Sequence, residues 1–397
     1  MPHKVRVLFV INSYPLSPGG AERHTQRLCA TLCHRDNRVR ILTVGYPACS
    51  PDRQSQHPPI WAFPAPRSPR LRDASFALWV LSVLPLLRPR YKQVHWVMTG
   101  LHLLLGLPLA TRLGMQNIVM IPGSGEAERM MRSPRGRCVL RMMKRYADRI
   151  VILNSAMKRE MECLGFEGSR LVMLGCEADP ETFRPAKDGE KEVLRERWKI
   201  PQHATVIVFA GRLVPGKGLP ALLDAFAALR SLHPDLLLLI AGDGQLAPTL
   251  QATVSNRGLG SSVLFTGQLR DSEVGEILRC SDIYALPSES EGIPAALVEA
   301  MASGLPSVVS DIPGTEIVVD DIHGLRFVIG DLKNLIAALE NVIVHCDRRT
   351  RMGRAAHELF LSRFTPDKVA YEHELMYEHI LQTKAYMQRA NTSTLRS

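Results

Sequence analysis

The 397-residue chain is 46% apolar and 22% charged, which excludes a disordered or fibrous protein and gives enough length for two cores rather than one. Its eight cysteines (29, 33, 49, 138, 163, 176, 280 and 346) form no C-x-x-C pair and no leader precedes the first apolar run, so a reduced, cytosolic protein without a zinc site is expected. The net charge of +10 draws anionic partners, but with 6% aromatics and no helix-turn-helix, finger or RNA-binding aromatic run, nucleic acid is not one of them.

In chain order, residues 5–11 read as a buried strand followed by a helix over 21–33, on which Cys29 and Cys33 are packing residues. A strand over 39–44 follows. Two apolar stretches, 76–87 and 96–109, are bordered by Arg67, Arg70, Arg72, Arg88, Arg90 and Lys92. Both fall short of the roughly 20 residues that cross a bilayer, and Pro85 and Pro108 interrupt them. Buried helix and contact with an anionic membrane surface both stay open there. Strands at 93–97, 118–121 and 149–153 alternate with helices at 101–113 and 156–164, with a second basic run, Arg132, Arg135, Arg137, Arg141, Lys144 and Arg145, between them. His95 and His102 read as structural.

The pattern pauses over 171–185, where Gly175, Asp179, Pro180 and Pro185 cluster before the charged stretch 187–199. This places a boundary between a domain of residues 1–184 and a second of 185–365. Strands at 205–210, 236–241, 263–266, 283–286 and 307–310 then alternate with helices at 219–232, 246–257, 272–280 and 295–303. Short apolar strands separated by helices predict two doubly wound α/β domains, with ligands at the carboxyl ends of the strands and in the cleft between the domains. Residues 368–390 have a helical pattern, and 391–397 read as a frayed tail.

Several motifs carry chemistry. Gly19-Gly20-Ala21-Glu22 opens the first helix, where backbone amides and the helix dipole can meet an anion or simply make a tight turn. The glycine spacing is not that of a dinucleotide site. Gly211-Arg212-Leu213-Val214-Pro215-Gly216-Lys217-Gly218 puts a guanidinium and an ammonium in one loop at a strand's carboxyl end, which suits a diphosphate or is a solvated basic loop. It is not a P-loop. Glu291 and Glu299 stand eight positions apart, one in a Gly-containing turn and one in an apolar helix. Eight helical residues rise about 12 Å, too far to flank one glycosidic bond, so the pair reads as two clamps on one long ligand or as two ordinary helix carboxylates.

Together with Ala241-Gly242-Asp243-Gly244, Phe265-Thr266-Gly267, Ser281-Asp282, Leu286-Pro287-Ser288, Glu299-Ala300-Met301-Ala302 and Gly304-Leu305-Pro306, these motifs resemble the family 4 glycosyltransferases, almost continuously through the second half. The resemblance implies a GT-B fold: two Rossmann-like domains facing a central cleft, an acceptor domain over 1–184, a donor domain over 185–365, and a C-terminal helix (366–390) crossing back to the N-terminal domain. It implies that Arg212 and Lys217 meet the donor diphosphate, that Glu291 meets the transferred sugar and that Glu299 meets the ribose. Gly19, Gly20, Gly211, Gly292 and Ile293 would lie near the donor, with Gln268 and Leu269 at its base.

It further implies a retaining hexosyltransferase without a metal or cofactor. The co-substrate would be a UDP or GDP sugar and the acceptor a glycan or lipid-linked hydroxyl in polysaccharide or glycolipid assembly. The expected location is the cytoplasm, and the basic and apolar stretches leave open a peripheral place at the inner face of the cell membrane. The chain departs from the family at Pro122, where many members carry a histidine. That leaves Ser124, Glu126 or backbone amides on the acceptor side, or an impaired enzyme. A catalytically inactive membrane-associated partner and a sugar-nucleotide epimerase are the alternatives.

Overall fold

In a computed structural model, the first sheet is built from β1 (Arg6–Ile11), β2 (Arg38–Gly45), β3 (Ile60–Pro64), β4 (Gln93–Val97), β5 (Gln116–Met120), β6 (Arg149–Ile152) and β7 (Leu171–Met173). The structure describes residues 4–12, 20–45, 59–64, 66, 68–97, 99–121 and 123–394, the side chains of 69–70 and 384–394 excepted. All strands of this sheet are parallel, in the order β3-β2-β1-β4-β5-β6-β7. The central strands β1, β4 and β5 are buried almost end to end, which is why they read as apolar runs rather than alternating patterns. Helices α1 (Gly20–His34), α2 (Pro69–Leu87), α3 (Leu101–Arg112), α4 (Glu126–Met131), α5 (Pro134–Tyr146) and α6 (Ser155–Cys163) make the crossovers.

Right-handed crossovers that run the same way along a sheet share a face. The connections through α2, α3 and α5 all run toward β7, and these helices pack side by side, whereas α1 runs the other way. Close approach of α3 to the sheet depends on Gly106, where a Cβ would lie 2.5 Å from the Trp96 ring.

The second unit holds α7 (Glu190–Arg197), β8 (Thr205–Ala210), α8 (Leu219–Leu232), β9 (Leu236–Ala241), α9 (Ala247–Asn256), β10 (Val263–Gly267), α10 (Asp271–Cys280), β11 (Ile283–Leu286), α11 (Ala295–Ala302), β12 (Ser307–Ser310), β13 (Gly324–Phe327), α12 (Leu332–Val344) and α13 (Cys346–Arg363). Its parallel sheet has the order β10-β9-β8-β11-β12-β13. Asp282, at the start of β11, is clamped by Arg195 at 2.8 Å and Lys191 at 2.6 Å and accepts the Val206 amide at 2.7 Å, so this part of the Ser281-Asp282 motif ties α7 and β8 to β11.

The last helix, α14 (Pro366–Thr394), belongs to the first unit, as the resemblance implies. It is held by buried side chains of the sheet: Gln93 Nε2 donates to the Tyr377 carbonyl at 2.8 Å and Gln116 Nε2 to the Ile380 carbonyl at 3.1 Å. Glu374, 3% exposed, accepts from Arg35 at 2.8 and 3.0 Å and from Asn37 at 2.5 Å.

The structure departs from the sequence reading in several places. Residues 171–173 form the edge strand β7, and the second unit begins at Cys176. Phe183 sits in the second unit's core, and the Ala178 amide donates to the Phe364 carbonyl at 3.2 Å, contacts that the Pro- and Gly-rich composition does not reveal. The basic run 132–145 is mostly helix α5, with Val139, Leu140 and Met143 as its buried stripe. The expected frayed tail is helical as far as Thr394.

Candidate functional site

In the second sheet the chain winds outward from β8 through β9 to β10, then restarts beside β8 at β11. The switch point between β8 and β11 opens a crevice at the strands' carboxyl ends, where open α/β sheets bind ligands. The loops there are set by glycines. Gly211 has φ 154° and its amide donates to the Ala241 carbonyl at 2.9 Å. A Cβ on Gly242 would stand 1.9 Å from the Gly211 carbonyl oxygen, and one on Gly244 2.4 Å from that of Leu213. The loops after β8 and β9 are thus seated backbone on backbone. Across the switch point, Gly218 (φ 65°) would drive a Cβ to 1.8 Å from the Pro287 carbonyl, and the Glu289 amide donates to the Gly216 carbonyl at 2.8 Å.

This frame joins residues 74 positions apart: Lys217 Nζ lies 2.5 Å from Glu291 Oε1, with the two side chains 22% and 11% exposed. Arg212 stands exposed in the same loop as Lys217. The turn at Gly292 is backed by Gly314, where a Cβ would meet the Gly292 carbonyl at 1.9 Å. Ile293 is half-buried against the core and Pro294 caps α11. Glu299 is 6% exposed within α11. After β10, Gln268 is exposed and Leu269 half-buried.

Tyr284 on β11 is fully buried, and among the described residues its hydroxyl has no hydrogen-bond partner. Burial pushes its pKa well above the usual range, and Glu291 and Glu299 push it further in the same direction. The Ser288 and Ser310 hydroxyls, just past the ends of β11 and at the end of β12, are likewise buried.

In the first unit the corresponding switch point lies between β1 and β4. Gly20 opens α1 with open space around it, while Gly19 and Pro122 lie outside the described residues. Ser124 Oγ accepts from Asn154 Nδ2 at 3.0 Å. Glu126 Oε1 accepts from the Thr99 hydroxyl at 2.9 Å, and its other oxygen pairs with Arg129. His102 in the first turn of α3 is buried between Phe76 and Trp96, and burial, aided by Arg135, lowers its pKa to about 4.

Two family models match the chain: "Glycosyl transferase 4-like domain" over residues 19–177 and "Glycosyl transferases group 1" over 190–359. The chain belongs to the family 4 glycosyltransferases. It is 24% identical, over 92% of its length and 96% of the relative's, to a GDP-mannose-dependent alpha-(1-6)-phosphatidylinositol monomannoside mannosyltransferase of Mycobacterium tuberculosis. It is 29% identical over 158 residues to the mannosylfructose-phosphate synthase of Agrobacterium fabrum, a match that spans 34% of that enzyme and 38% of this chain. The fold is GT-B: HepE from Anabaena, solved in complex with UDP and glucose, superposes with a TM-score of 0.78 over 94% of this chain and 99% of its own, at 18% identity.

In this glycosyltransferase the structure brings Lys217 and Glu291 into contact and buries Glu299 within α11. The sequence reading missed Tyr284 and Gly314. A tyrosine in an apolar strand reads as packing, and Gly314 gains its meaning only from the Gly292 carbonyl it faces.

Proposed function

We propose that this glycosyltransferase moves a hexose from a UDP or GDP sugar to an acceptor hydroxyl with retention of configuration, without a metal or cofactor. The observation that carries the reading is the pairing of Lys217 with Glu291 across the β8/β11 switch point, with Arg212 in the same loop. In it, Arg212 and Lys217 bind the diphosphate. Arg212 presents a planar fork and Lys217 a point charge, and both stabilise the negative charge that grows on the leaving group. Glu291 holds Lys217 in place and accepts hydrogen bonds from the sugar hydroxyls. Glu299 accepts from the ribose, the backbone of Gly211, Gly292 and Ile293 lines the donor, and Gln268 and Leu269 flank the base. On the first unit, Gly20 serves the donor phosphates, and Ser124 and Glu126 are the polar groups for the acceptor.

The HepE complex with UDP and glucose supports a nucleotide-sugar donor, and the GDP-mannose dependence and phosphatidylinositol monomannoside acceptor of the mycobacterial relative favour GDP and a lipid-linked acceptor. In this reading a lipid-linked acceptor is met at the cytoplasmic face of the membrane. Among the described residues no helix is long and apolar enough to cross a membrane.

A thermal-shift screen of UDP, GDP and ADP sugars tests this. A matching donor raises the melting temperature because it binds only the folded state. Lys217→Ala is expected to weaken donor binding at least tenfold, and Glu291→Ala to lower turnover about 100-fold, with EDTA changing neither. No shift with any donor, or turnover untouched by both substitutions, would overturn the reading.

A further inference from the structure

A surface helix normally presents polar residues to water, and α2 does not. After the first turn it carries no charged residue on any side from Ala74 to Leu87. Phe76, Val80, Val83 and Leu84 are buried against the domain, while Leu71, Leu78 and Leu86, spaced 7 and 8 residues apart and so on one side, are 62%, 65% and 67% exposed. Between them the outward positions are Ala74, Ser75, Leu81, Ser82 and Pro85, none of them charged. The neighbouring α3 continues the surface with Leu105, 56% exposed. On the far side of α3 lies α5, whose exposed positions include Arg137, Arg141, Lys144 and Arg145, and Arg88 and Arg112 stand exposed at the carboxyl ends of α2 and α3. Asp73, the acid nearest this stripe in the chain, lies within ion-pair distance of Arg72 and Arg135.

We propose that the α2–α3–α5 face docks on a bilayer containing anionic lipids, the exposed leucines entering the headgroup boundary and the α5 cations meeting lipid phosphates. Three features select this occupant. From Leu71 to Leu86 the stripe runs about 22 Å, long enough for a helix lying in the membrane plane. It joins an apolar strip to a cationic row in one surface, which matches the layering of a headgroup region. A second copy fits less well, because a two-fold interface would set each cationic row against the same face of its partner. The inference deepens the proposed function by naming where a membrane-bound acceptor is approached. It is read without donor or turnover, so either can fail alone.

The test is co-sedimentation of the full chain with vesicles of phosphatidylcholine alone and of phosphatidylcholine mixed with phosphatidylglycerol. Binding is expected on the anionic vesicles and is expected to weaken with salt. The exposed pair Leu78→Glu and Leu86→Glu should abolish it. Arg141→Gln, Lys144→Gln and Arg145→Gln together should weaken it about 100-fold, near fivefold per cation. Both variants should keep the wild-type melting temperature and any donor-induced shift. Three results would overturn the proposal: no binding to anionic vesicles, binding that survives the leucine changes, or lipid-free dimerisation that those changes abolish.

Discussion

At the residue scale, the crevice depends on glycines that are required for different reasons. Gly218 and Gly258 share a φ of 65°, yet a Cβ on Gly258 meets nothing within 4 Å, while one on Gly218 would fall 1.8 Å from the Pro287 carbonyl. Gly258→Ala is therefore expected to cost only the backbone strain, about 1 kcal/mol. Gly218→Ala adds a displacement of the loop after β11 and is expected to cost about 3 kcal/mol and to weaken donor binding, because Lys217 and Glu291 sit on the two loops that must separate. Denaturant unfolding of the two variants checks this. Equal losses would mean that the Pro287 contact is not what demands glycine.

At the scale of elements, α14 is joined to the first unit through polar side chains as much as through its apolar face. Glu374 is the centre of that joint: 3% exposed, it takes two hydrogen bonds from Arg35 and one from Asn37. Glu374→Ala leaves the Asn37 amide and a partly buried guanidinium without their acceptor, and a loss of about 3 kcal/mol in unfolding free energy is expected. Asp367 pairs with the same arginine at 3.4 Å but is 77% exposed, so Asp367→Ala should cost less than about 1 kcal/mol. The same joint explains why the helix's destination came from the family resemblance and not from any local pattern. Gln93 and Gln116 open strands whose other residues are mostly apolar, and nothing local shows that their amides face carbonyls 284 and 264 residues away.

Across the whole molecule, buried histidines make stability depend on pH. His102 has its pKa lowered to about 4 by burial and by Arg135; His373 is lowered to about 3 by burial and by His24. His95, fully buried and hydrogen-bonded to the Tyr377 hydroxyl at 2.7 Å, moves the same way. Each stays neutral in the folded chain while its unfolded counterpart takes a proton below about 6.5. The unfolded state then binds more protons, and stability falls as the pH drops from about 6.5 toward 4 for His102 and 3 for His373. Every such group contributes a slope of about 1.4 kcal/mol per pH unit once below its unfolded pKa. Glu190, held at about 2 chiefly by Arg184, adds a further loss between about 4.5 and 2. Melting temperatures from pH 7 to 5 should therefore decline. His102→Phe, whose ring remains among Phe76 and Trp96, should flatten the decline by one proton's worth, and an unchanged slope would refute the assignment.

By itself the sequence determined the two doubly wound units and the candidate donor residues. Both rest on short-range signals, namely apolar strands of four to six residues and glycines spaced to make turns at their ends. Arg212, Lys217 and Glu291 lie in the loops after such strands, and Glu299 in the helix that follows, so their places in the β-α units could be read. Tertiary structure alone decided which of them meet, since the Lys217–Glu291 contact spans 74 residues and exists because β11 returns to the side of β8. It alone showed that Tyr284, which reads as packing, buries a hydroxyl that finds no hydrogen-bond partner among the described residues. It also decided the fate of the apolar stretch 76–87, which the composition left between buried helix and membrane contact. One side of α2 is buried, and Leu78 and Leu86 on the other face solvent. A stretch of helix with no charged residue on any side carries no periodic signal of which face points inward, and the sheet it packs against supplies that choice.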